Sequence, residues 1–105
     1  MISYKGSGIS NKIVEGRARI IRSQEDINRL KKEDIAVVDN FLPTYFNIFL
    51  KCSGLVSENG GALCHGAIMA RECDFPSIFG IGKNEIKNND RIRLDPSRNE
   101  VEILE

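Results

Sequence analysis

The run Ile35-Ala36-Val37-Val38 has no polar residue to break it. A strand with one wet face alternates apolar with polar, so an unbroken run marks a strand covered on both faces. Covering both faces requires a layer on each side, which restricts the chain to layered folds with a buried sheet. The neighbouring segments fit that demand. Residues 13–21 (Ile-Val-Glu-Gly-Arg-Ala-Arg-Ile-Ile) alternate over most of their length and predict a half-buried strand. Ser23 then precedes an acidic first turn and basic residues further on, which predicts a short helix over 24–31.

Pro43 restricts Leu42 to an extended conformation after the Asp39-Asn40 turn. Tyr45, Ile48, Phe49 and Cys52 stand at helical spacing within 44–52 and end before Gly54. Leu55-Val56 predicts a short strand, 57–61 a loop, 62–72 a helix and Ser77-Ile78-Phe79 a buried strand. Residues 91–95 and 100–104 both alternate and flank 96–99 as a closing hairpin. Residues 1–12, rich in Gly and Ser, read as a packed loop. The expectation is a mixed α/β domain, parallel in the middle and antiparallel at the edges.

With 105 residues and a prior of about 100–200 residues per domain, the chain is expected to form one domain over 1–105. That is too short for separate nucleotide and substrate domains. Fifteen basic residues balance fifteen acidic ones, so no global field gathers nucleic acid or an anionic membrane, and neither is an expected partner. The three cysteines lack a CxxC pair and read as small buried thiols in a cytoplasmic protein. No basic start with a long apolar stretch marks a signal peptide.

The chemistry concentrates in Glu58-Asn-Gly60-Gly61-Ala-Leu-Cys64-His65-Gly66-Ala67-Ile68-Met-Ala70-Arg71-Glu72. Two glycines allow a tight turn close to a ligand. A helix starting just after them offers unpaired N–H groups and a positive dipole end, a recipe for holding phosphate. His65, the sole histidine, falls in the first helical turn, where an imidazole can attack a phosphoryl donor. Leu63, Ala67 and Ala70 share one face suited to burial, and His65 projects away from it beside Met69 and Glu72, with Gly66 leaving room. The plainer alternative is a histidine that packs or caps.

A Cys64–His65 nucleophile pair fails, because helix neighbours point about 100° apart. A zinc site from Cys52, Cys64, His65 and Cys73 lacks paired short spacings, and no metal is expected. Arg17, Arg19, Arg91 and Arg93 read as solvated strand faces. Arg71 could reach a phosphate or form a surface ion pair.

These residues resemble the phosphohistidine (mobile, swivelling) domain of phosphoenolpyruvate-utilising enzymes. That family's signature is close to G-G-x-x-(S/T/C)-H-x-A-I-x-A-R-E, and Gly60 to Glu72 follows it nearly throughout, with Pro76 to Gly80 continuing it. Gly8-Ile-Ser10, Gly16-Arg-Ala-Arg-Ile20 and Gly54-Leu-Val-Ser-Glu58 resemble its opening and middle segments. The resemblance implies a three-layer β/β/α swivelling fold with a parallel central sheet and a smaller antiparallel sheet. It implies a phosphoryl carrier, a component of a phosphotransferase, phosphorylated on His65. Gly60, Gly61, Cys64, Gly66 and Arg71 would stabilise the phosphate, with Glu58 and Glu72 in support.

ATP and Mg are implied on a partner, together with separate nucleotide-binding and phosphoenolpyruvate- or pyruvate-binding proteins or domains. The start at Met1 and the stop after the last strand favour a free-standing domain. One departure stands out. Phe41 lies near the position where the family usually has Thr, so an interaction or regulatory module that keeps the fold is the alternative. The family's turn glycines are replaced around Asn88-Asn89-Asp90 and Asp95 to Asn99, and Asn tolerates the left-handed turns involved.

Overall fold

The computed structural model describes residues 2–104. Eight strands form one hydrogen-bonded sheet in the order β1-β8-β7-β3-β4-β5-β6-β2. They are β1 (Ile2–Lys5), β2 (Ser7–Ile9), β3 (Val14–Ile20), β4 (Asp34–Val38), β5 (Gly54–Ser57), β6 (Ser77–Phe79), β7 (Arg91–Asp95) and β8 (Glu100–Ile103). Strands β3 to β6 pair in parallel, and every other pairing is antiparallel. Parallel neighbours need crossover connections, and α1 (Gln24–Asn28), α2 (Ile48–Lys51) and α3 (His65–Glu72) lie in those three crossovers.

The apolar run at 35–38 does what its pattern requires. All of β4 is buried, and its side chains divide between two cores. Ala36 and Val38 join Leu55, Phe79, Ala67 and Ala70 on the helical side. Ile35 and Val37 join Val56, Ile78, Ile92, Leu94 and Val101 on the other. This period-two split across β4, β5 and β6 creates the three layers: helices, parallel strands, and the antiparallel strands folded over them. The antiparallel part is continuous with the parallel part through the β3–β7 pairing.

Residues 1–12 correct the loop reading, since most of the described ones form β1 and β2; Met1 lies outside the described residues. Only Gly6 separates these strands, yet they pair at opposite ends of the sheet order. The sheet therefore curls until its two edges meet. Glycine is needed at that meeting, because a Cβ on Gly8 would collide with the Pro96 carbonyl oxygen. Segments this short carry too little alternation to announce a strand.

Helices are shorter than their sequence patterns. Ser23 caps α1 as expected, its hydroxyl accepting from the Asp26 N–H, but the helix ends at Asn28 rather than 31. The segment 44–52 is split into a 3-10 turn over Pro43–Tyr45 and the single turn of α2. Leu42 is extended before Pro43 as expected, with φ −89° and ψ 148°. Asn89 and Asn99 adopt left-handed backbone, φ 76° and 56°, where the resemblance points to replaced glycines. Arg17 and Arg91 are exposed as expected, but Arg19 and Arg93 are partly buried and do not simply face solvent. Arg19 lies 3.4 Å from the buried Asp34 carboxylate. Arg91 and Arg93 both pair with Glu15, and Arg93 also binds Glu102 at 2.8 Å.

Candidate phosphate site at the start of helix α3

Helix α3 starts at His65, three residues later than the pattern over 62–72 suggests. Residues 62–64 instead turn, with the Cys64 N–H donating to the Gly61 carbonyl at 3.1 Å. Cys64 is the extended residue before the helix, at φ −71° and ψ 162°, and makes no side-chain capping bond. The first N–H groups of α3 therefore remain without a side-chain cap, and the positive end of the helix dipole opens toward solvent. The other end closes firmly. Asp74 is left-handed at φ 50°. The Phe75 N–H reaches the Ala70 carbonyl and the Asp74 N–H that of Arg71, at 2.9 and 3.2 Å, the pattern of a Schellman cap.

Ala67 and Ala70 are fully buried, which fixes the face α3 turns to the sheet. His65 is exposed, as its spacing from that face requires. Leu63, expected on the buried face, is instead 86% exposed. It precedes the helix, so helical periodicity does not govern its direction.

The loop from β5 to α3 is held from two sides. The Glu58 and Asn59 N–H groups donate to the Val38 and Asp39 carbonyls. The Gly80 and Gly82 N–H groups donate back to the Ser57 and Glu58 carbonyls. Gly60 has φ +99°, and a Cβ there would stand 3.0 Å from the Cys64 Sγ; only glycine turns the chain here without strain. Gly61 has open space around it, and a Cβ added there would meet nothing within 4 Å. Its glycine is thus not demanded by packing.

A cleft of about 80 Å³ lies at this point, lined by Gly60, Cys64, His65 and Gly66 together with Asn40, Phe41, Ser57, Asn59 and Phe79. Four of the residues expected from the sequence meet there. The others stand apart. The guanidinium of Arg71 donates to the Ala62 carbonyl at 3.0 Å, bracing the loop instead of forming an ion pair. Glu72 is exposed at the far end of α3, roughly 10 Å along the helix axis at 1.5 Å per residue. Glu58 lines a neighbouring groove with Arg22, Asp39, Asn84 and Lys87. Asn40 and Asn59 escape the sequence reading of the site. Both follow the carboxyl ends of parallel strands, where ligands of open α/β sheets bind, and that rule could have found them.

Gly66 does not leave empty room. A Cβ there would meet the Phe41 ring and its Cβ at 2.9 to 3.0 Å, so the space is filled by that side chain. The thiols also divide. Cys52 is buried, Cys64 half-buried and Cys73 exposed, correcting the expectation of three buried thiols. Among the described residues no group of three or more His, Cys, Asp or Glu is placed to hold a metal ion. No helix among them is long and apolar enough to cross a membrane.

Fold comparison and sequence comparison converge. A Thermococcus kodakaraensis aconitase X structure superposes with a TM-score of 0.72 over 100% of both chains at 16% identity. An Enzyme I protein (nEIt) solved by NMR matches 74% of this chain and 33% of its own with a TM-score of 0.62 at 24% identity. Both place the chain in a layered α/β class. Residues 30–99 match the family described as PEP-utilising enzyme, mobile domain. The rifampicin phosphotransferase of Bacillus cereus is 39% identical over 94% of this chain and 12% of its own length. The phosphoenolpyruvate synthase of Helicobacter pylori is 39% identical over 76% of this chain and 10% of its own. The chain belongs to the mobile-domain family of PEP-utilising enzymes, and it spans about an eighth of the length of the first of these relatives.

Proposed function

We propose that this domain is a phosphoryl carrier, transiently phosphorylated on His65, which relays the group between a nucleotide-binding module and an acceptor module. The observation that carries the reading is the exposed His65 at the first position of an eight-residue helix whose N-terminus has no side-chain cap. An imidazole nitrogen there can attack phosphorus. The adjacent N–H groups can then hold the anionic oxygens, which charge-assisted bonds favour. Asn40 and Asn59, lining the same cleft, supply amides that can donate to those oxygens.

Leu42, Phe46, Leu50, Leu63 and Ile68 are exposed on the helical layer and the loop leading into it, an apolar surface for docking against partner modules. ATP and Mg would act on the nucleotide-binding module. The acceptor module would hold pyruvate or phosphoenolpyruvate, or another phosphoryl acceptor.

The test mixes this chain with separately expressed nucleotide-binding and acceptor modules of a rifampicin phosphotransferase or a phosphoenolpyruvate synthase, with labelled ATP. Acid-labile label on the wild type, lost in His65→Ala, is the expected result. Label that survives His65→Ala would overturn the proposal.

A further inference from the structure

We propose that Phe41 is a positioning residue of the His65 site. Its ring, seated on Gly66, walls the cleft and keeps water from a phosphoryl group held on His65. This rests on the carrier reading above.

The ring is fixed on all sides that matter. It meets Tyr45 edge-on with ring centres 6.4 Å apart, and lies tilted at 34° against Phe49 at 5.3 Å. Phe49 in turn abuts Phe75 edge-on at 5.0 Å. Phe41 thus belongs to an aromatic stack packed on the core, and it is the member that lines the same cleft as His65. A Cβ at residue 66 would come within 2.9 Å of two of its ring carbons.

Gly66 is the second residue of α3, and glycine is a poorer helix former than alanine. The close seat of Phe41 explains why glycine stands there. Phe41 has no hydroxyl to bind phosphate, so its contribution to the cleft is shape and dryness.

Dryness matters for a carrier. In the wasteful reaction water attacks phosphorus and the P–N bond breaks. The imidazole nitrogen keeps the electron pair and takes a proton, and inorganic phosphate leaves. An apolar wall in the cleft that His65 also lines reduces the directions from which water can approach.

The experiment loads the full chain with potassium phosphoramidate, removes the reagent, and follows the N-linked phosphorus signal by NMR at neutral pH. Phe41→Ala should shorten the lifetime of the signal by roughly fivefold through lost water exclusion, whereas Phe41→Leu keeps most of it. Phe49→Ala loosens the stack without lining the cleft and should lower the melting temperature while leaving the lifetime near wild type. Should Phe41→Ala fail to fold, Phe41→Val trims the wall within a folded core and reads the same lifetime. An unchanged lifetime in the folded Phe41 variant overturns the inference, and so does equal shortening in Phe49→Ala. Both outcomes leave the carrier reading intact. A wild type that takes no phosphate on His65 overturns that reading and this inference with it.

Discussion

Cys52 shows how strongly a single site is set by its surroundings. Its thiol is pushed up from 9.0 to about 11, first by burial, against the opposing pull of backbone hydrogen bonds from Gly54 and Ala36. A folded value above the unfolded one means the native state binds its proton more tightly. That stability is fully present below 9.0 and is lost as pH rises toward 11. A rise of that size corresponds to about 2–3 kcal/mol. Urea melts taken up the alkaline range should therefore slope downward between these values, with Cys52→Ala flattening the slope. Thiol labelling of the native protein gives the companion result: Cys73, which is exposed, reacts first, and Cys52 reacts only on unfolding. Prompt labelling of Cys52 would contradict the burial on which both expectations rest.

At the scale of elements, glycines separate the demanding positions from the permissive ones. Gly8→Ala drives a methyl group into the Pro96 carbonyl, where neither strand β2 nor the turn after β7 can give way. A loss of about 3 kcal/mol in urea unfolding is expected, at the upper end for overpacking. Gly61→Ala meets open space and should leave stability within about 0.5 kcal/mol of wild type. The same contrast explains what was legible in the sequence. Strands β3 to β8 announce themselves through alternation or unbroken apolar runs, because core packing writes a period into them. Strands β1 and β2 do not, since their places are fixed by pairing with the distant β8 and β6, not by their own pattern. Helix α3 is legible at Ala67 and Ala70 but not at its start. The turn at 62–64 depends on the Cys64 to Gly61 bond and on Arg71 reaching back to Ala62, both invisible to periodicity. The Gly60 to Glu72 motif puts His65 in the first turn of a helix, and α3 begins at that residue. Asn59 immediately precedes Gly60 on the same loop, whereas Asn40 and Phe41 come from the segment after β4 and meet it only once strands β4 and β5 lie side by side.

The whole molecule is one curled sheet with a core on each face, and every crossover between parallel strands lies on the helical side. The only histidine stands exposed at the carboxyl ends of the parallel strands. Under the proposed carrier function, the chemistry would be confined to one nitrogen of His65, and the scaffold would contribute geometry. The start of α3 should therefore make His65 a better phosphoryl acceptor than an ordinary histidine. Phosphorus NMR of the intact chain with potassium phosphoramidate tests this most directly, compared with a peptide of residues 61–70 and with His65→Ala. One N-linked resonance is expected, forming faster in the protein than in the peptide and absent from His65→Ala. Formation no faster than in the peptide, or a resonance that persists without His65, would contradict that role for the helix and its histidine.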